Sequence, residues 1–162
     1  MTPEEYVRRV KASKQHSCVY HFTDRKNLSS IRKHGLYSAQ ALKRYKIDAV
    51  RGGNDWSIEA DAACGMDAYV HLCFLESHPM AYQAKKSGHM DPVFIGIHPE
   101  VVLLPGIMVT NEVSNQAGVI PVPPREILGE LDLQVIYDRT DWKDSAIKDK
   151  ACRRAPVRDP CS

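Results

Sequence analysis

His21, Thr23 and Arg51 offer an imidazole, a hydroxyl and a guanidinium to any chemistry this chain performs. A guanidinium presents a planar fork of donors that neutralises phosphate charge and orients a reacting group. Read alone, His21 and Arg51 have plainer explanations. A histidine at a strand end is usually satisfied by backbone groups, and an arginine before Gly52-Gly53 reads equally as a solvated turn residue. Ser30 and Ser38 add two hydroxyls, although Ser30 also fits a capping or solvent-facing role. Gly52-Gly53 has neither the G-x-G-x-x-G spacing nor the G-K-[ST] of a phosphate loop, which rejects dinucleotide-fold and P-loop readings. His71, His78, His89 and His98 stand seven or more residues apart, without the H-x-x-x-H spacing that puts two ligands on one helix face, so no metal is expected. Cys18, Cys64, Cys73, Cys152 and Cys161 are odd in number and contain no C-x-x-C pair; they read as reduced thiols of a cytoplasmic protein.

The elements that must carry these groups follow from punctuation and periodicity. Thr2, Pro3, Glu4 and Glu5 form an N-cap, a first-turn proline and two acids facing the helix dipole, which opens a helix to about residue 14. Residues 17–21 read as a short strand, and 27–34 as a helix stopped by Gly35. Residues 44–65 are irregular around the Gly52-Gly53-Asn54-Asp55 turn and are expected to form a functional loop. A buried strand over 69–75, a helix from His78-Pro79-Met80 to about 86 and a strand over 92–98 follow. The apolar run 101–109 is broken by Pro105-Gly106. Another strand is expected over 131–137, and a last helix over 142–154 with Asp141 as its cap. These irregularly separated strands give a mixed α+β domain rather than a doubly wound parallel sheet.

A chain of 162 residues suits one domain. Its net charge of +2 means that contact with nucleic acid must come from local clustering. An acidic N-terminus and the lack of a long apolar run argue against a signal peptide and a membrane span.

Tyr20-His21-Phe22-Thr23, then Asn27-Leu28, Ile31 and Gly35-Leu36, resembles the opening of the DarT family of ADP-ribosyltransferases, a Y-H-x-T strand leading into an N-L-x-x-I-x-x-x-G-L helix. Tyr69-Val70-His71-Leu72-Cys73-Phe74 followed by Pro79-Met80-Ala81-Tyr82 is similar to the family's next strand and helix. The stretch from Gly106 to Gly118, and Ile136 to Trp142, extend the likeness over most of the chain. The resemblance implies an ADP-ribosyltransferase fold: split mixed β-sheets with flanking helices and an NAD cleft between them. It also implies NAD as substrate, with His21 and Thr23 gripping the nicotinamide half and Arg51 contacting the dinucleotide. Ser30 and Ser38 fall where hydroxyls reach the adenosine side. The implied acceptor is a base of single-stranded DNA or RNA, unpaired because a base inside a duplex is out of reach. The implied context is a toxin held by an antitoxin protein, or phage defence.

Transfer of this kind develops positive charge on a ribose, which a carboxylate offsets. In the family a glutamate does so from a strand after the last helix. Here Arg153-Arg154-Ala155 leads into Pro156-Val157-Arg158-Asp159-Pro160, without a glutamate and with two prolines that oppose a central strand. The expectation is one DarT-like domain over 1–162 whose catalytic strand is truncated or altered after about residue 154. In the alternative alignment Glu126, Glu130 or Glu112 supplies the carboxylate, with Arg125-Glu126-Ile127-Leu128 replacing the strand. Two functions follow: an active transferase, in which Lys43-Arg44-Tyr45-Lys46 and Lys85-Lys86 track phosphates, or a catalytically dead NAD- or nucleic-acid-binding module acting in regulation or immunity.

Overall fold

The computed structural model describes residues 1–14, 16–52, 55–76, 78–111, 114 and 118–137. In chain order its elements are helix α1 (Pro3–Ala12), strand β1 (Val19–Asp24), helices α2 (Leu28–His34), α3 (Ala39–Tyr45), α4 (Asp55–Ala63) and α5 (Pro79–Lys86), strand β2 (Pro92–Ile97), and helices α6 (Pro124–Ile127) and α7 (Leu133–Tyr137), joined in places by short 3-10 turns. Helices and one small antiparallel sheet make an α+β protein. Its elements fall into two compact units, one of Met1–Cys18 with His98–Ser162 and one of Val19–Ile97.

In the first unit, α1 starts as its sequence dictates. The Thr2 hydroxyl accepts from the Glu5 amide at 3.2 Å while the Glu5 carboxylate accepts from the Thr2 amide at 2.7 Å, so two groups at the helix start are satisfied reciprocally. Tyr6, Val7 and Val10 line the buried face of α1, which packs against the Pro99–Leu103 turn, where Val102 is buried. Lys11 and Glu100 pair across the same contact. Leu128, Leu133 and Tyr137 complete this core. The strand expected over 131–137 is instead α7, because burial there falls on Leu133 and Tyr137, four residues apart on one helical face. Within the apolar stretch before Pro105-Gly106, Pro99–Leu103 is a 3-10 turn; after it, Val109 bridges to Val122. The expected last helix over 142–154, its Asp141 cap and the tail beyond it lie outside the described residues.

In the second unit β1 and β2 pair antiparallel, with His21 opposite Ile95 and Thr23 opposite Val93. The strand expected to end at His21 continues through Thr23 to Asp24. There the Asp24 carboxylate accepts from the Lys26 amide at 2.7 Å and the Asp91 amide at 2.9 Å, turning the chain into α2. Gly35 ends α2 at φ 86, as expected of a glycine cap. The loop expected over 44–65 is in part helical: α3 ends at Tyr45, and α4 occupies Asp55–Ala63, while 46–52 is irregular. Residues 69–75 do not form the expected buried strand. Their one backbone bridge to β1 is Tyr20↔Cys73, and both Tyr69 and Leu72 are exposed. α5 begins at His78-Pro79 as expected, with His78 as its N-cap. Among the described residues the sheet has only β1 and β2, and no helix is long and apolar enough to cross a membrane.

Candidate functional site

β1 presents His21 and Thr23 on one face, two residues apart. The Nδ1 of His21 lies 2.9 Å from the carbonyl oxygen of His71, an acceptor, so this nitrogen carries the proton and donates. Burial pushes the His21 pKa below the ordinary histidine value, outweighing the support from the His71 carbonyl. The imidazole is therefore neutral near pH 7, with Nε2 left as an acceptor. His71 is itself fixed, its Nε2 donating to the carbonyl of Met66 at 3.0 Å.

Thr23 is buried, and its hydroxyl oxygen accepts from the side-chain amide of Asn27 at 3.0 Å, which leaves the hydroxyl proton to donate. The same amide nitrogen donates to the Val50 carbonyl at 2.7 Å, and the Asn27 Oδ1 accepts from the Val50 N–H at 2.9 Å. One side chain thus ties β1 to the residue before Arg51. The Arg51 carbonyl accepts in turn from His89 Nε2 at 3.0 Å. Gly52 lies so close to Phe22 that an added Cβ would meet its ring at 2.8 Å, closer than any real contact allows. The segment 50–52 is pinned at three successive residues, and the exposed Arg51 side chain rises from fixed backbone.

Phe22, on the opposite face of β1, stacks on the His78 ring with centroids 5.1 Å apart and planes 25° from parallel. His78 Nδ1 accepts from the Met80 amide at 3.3 Å, so its Nε2 bears the proton, and burial depresses its pKa as well.

The remaining expected residues are placed as follows. Ser30 is half-buried on α2. Ser38 caps α3, its hydroxyl accepting from the Ala41 amide at 3.2 Å, a structural task that the sequence reading did not assign. Glu126 is exposed in the first turn of α6, in the other unit from His21, Thr23, Ser30, Ser38 and Arg51. The strand that the alternative alignment places over 125–128 is not formed, because the backbone there turns as helix α6 and then as a 3-10 turn. Glu130 is likewise exposed, and Glu112 lies outside the described residues. Asn27 is the residue that sequence reasoning passed over as a helix-opening letter; its only signal was a polar side chain four residues after Thr23. Among the described residues no group of three or more His, Cys, Asp and Glu side chains is arranged to hold a metal.

The family model described as ssDNA thymidine ADP-ribosyltransferase, DarT, matches residues 20–157. This chain belongs to the DarT family. No curated protein and no solved structure matches it. The DarT match opens on β1 at Tyr20 and takes in Asn27, the pinned segment 50–52 and Glu126. Membership makes the protein an ADP-ribosyltransferase by family, with NAD as the implied donor and single-stranded DNA as the implied acceptor.

Proposed function

We propose that this chain moves the ADP-ribosyl group of NAD onto a thymine of single-stranded DNA, as a cytoplasmic toxin restrained by an antitoxin protein or as a phage-defence factor. The observation that carries the reading is the hydrogen-bonded tie from Thr23 through Asn27 to Val50, which fixes an arginine beside a strand bearing a neutral imidazole and a donor hydroxyl. Those groups fit an NAD site by their chemistry. His21 Nε2 accepts from the N–H of the nicotinamide amide, and the Thr23 hydroxyl donates to its carbonyl, so the ring is held in one orientation. The Arg51 guanidinium meets the pyrophosphate, while Ser30 and Ser38 are assigned to the adenosine side. The glycosidic bond to nicotinamide breaks with its electron pair leaving on the nicotinamide nitrogen. The ribose carbon bonds to a base nitrogen, whose proton passes to a carboxylate or to water. Glu126 is the carboxylate assigned to that role and to offsetting charge on the ribose.

One observation favours a second reading, in which the chain binds NAD or nucleic acid without transfer and serves in regulation or immunity: Glu126 sits on a helix, not on a strand. Incubating the purified chain with NAD labelled in its ADP-ribosyl half and a thymidine-containing oligonucleotide separates the two. Label on the DNA supports the transferase. NAD binding with no label transferred supports the second reading, and failure to bind either NAD or DNA removes both. Growth arrest on expression, relieved by a co-expressed partner, tests the toxin role.

A further inference from the structure

Residues 25–47 carry seven Lys and Arg and no Asp or Glu, although the whole chain has a net charge of only +2. The rest of the protein is therefore net acidic. Arg25 is engaged with Asp91, but Arg32, Lys33, Lys43, Arg44 and Lys46 are all exposed. Two tyrosines stand among them: Tyr37, just ahead of the α3 cap, and Tyr45, the last residue of α3. They are 38% and 58% exposed, too open to be core residues, and their ring centroids lie 5.4 Å apart at 31°. The Arg44 guanidinium carbon sits 5.8 Å from the Tyr45 ring centroid. Neighbouring acids are few: Asp48 follows the segment, and Asp67 lies on the 3-10 turn against which α3 packs.

A merely solvated face has no need of this combination. Like charges that outnumber their described acidic neighbours repel one another, and exposed rings lose the burial that normally justifies an aromatic side chain. Rings on which unpaired bases stack, flanked by cations that follow the phosphates, are the two ingredients of a single-strand platform.

We infer that the Tyr37–Tyr45 pair with Lys43, Arg44 and Lys46, on α3 and at its end, is a landing surface for single-stranded DNA flanking the modified base. This rests on the proposed acceptor being a single strand. The tyrosines take bases that are not modified, and the cations take their phosphates, so the substrate is held by nucleotides remote from the chemistry.

Fluorescence anisotropy of a labelled thymidine homopolymer, and of a duplex of the same length, tests this with the full chain. Tyr45→Ala and Tyr37→Ala each weaken single-strand binding about tenfold, with NAD affinity and thermal midpoint unchanged, and Tyr45→Phe restores it. Replacing Lys43, Arg44 and Lys46 by Gln lowers the slope of log affinity against log salt by about 2. Unaltered affinity and slope in these variants overturn the surface, as does a duplex bound as tightly as the single strand. A wild-type chain that binds no single strand overturns it too. Label transfer is scored separately, so transfer that persists in tyrosine variants with wild-type affinity refutes the surface and leaves the activity standing.

Discussion

A buried asparagine that bonds both the N–H and the C=O of one residue does the work of a neighbouring strand at a place where the chain forms none. Asn27→Ala strands the Val50 N–H and frees the Thr23 hydroxyl. The expected loss is about 1–3 kcal/mol in unfolding free energy, read by chemical denaturation, with weaker NAD binding because Arg51 loses its fixed backbone. Asn27→Asp keeps the acceptor for the Val50 N–H but sets a second oxygen against the Val50 carbonyl at a buried position, so both stability and NAD affinity fall. Cysteine reactivity divides on the same scale. The Cys73 thiol donates to the Tyr20 carbonyl at 3.3 Å, and burial pushes its pKa up to about 11. A thiol held that high presents almost no thiolate at neutral pH. Cys64 is exposed. Of these two thiols, alkylation followed by mass spectrometry should modify Cys64 first, and Cys73 only as the protein unfolds.

Among the elements, the pairing of α1 with α7 is the most open to test. Tyr6 and Tyr137 are buried, their hydroxyls 2.7 Å apart and their rings edge to face at 6.2 Å, and burial lifts the Tyr6 pKa to about 12. Tyr6→Phe deletes a buried hydrogen bond without opening a cavity. A cost of about 1–2 kcal/mol is expected in the denaturation free energy, with the fold kept. Elements with strong local punctuation were legible in the sequence: the Thr2 cap, the Gly35 stop, and the His78-Pro79 start. Elements without it were not. Apolar residues at 131, 133 and 137 satisfy an alternating pattern and a four-residue helical spacing equally, and only packing against Tyr6 decides between them. Ser38 was read only as a hydroxyl, and its capping of α3 was passed over. The site was legible in part. His21, Thr23 and Arg51 became candidates through the resemblance to the DarT family, but the Asn27 tie joins residues 23 apart in sequence, and no periodicity encodes such a contact.

For the whole molecule, acid should destabilise in two stages. His21 and His78 have depressed pKa values in the folded protein, chiefly through burial. Below the ordinary histidine value of about 6.5 the unfolded chain takes up protons that the folded one refuses, so stability falls as pH drops through that window and is unaffected above it. Asp24, Glu100 and Glu4 are held below the usual carboxylate range, mainly by hydrogen bonds from backbone amides for Asp24 and Glu4 and from Lys11 for Glu100. Their contribution persists above about pH 4 and is lost as pH falls toward their depressed values. Urea midpoints measured from neutral to acid pH should show both steps, and His21→Gln should shrink the first.

The first unit is assembled from both flanks of the second: α1 packs against the Pro99–Leu103 turn and meets α7 through Tyr6 and Tyr137, both more than eighty residues later. On a ribosome, Val19–Ile97 emerges as one uninterrupted stretch, whereas the opening helix must wait, its Tyr6 and Val10 uncovered, until the latter part of the chain has been made. A nascent protein stalled near residue 97 would therefore carry a sticky amphipathic leader.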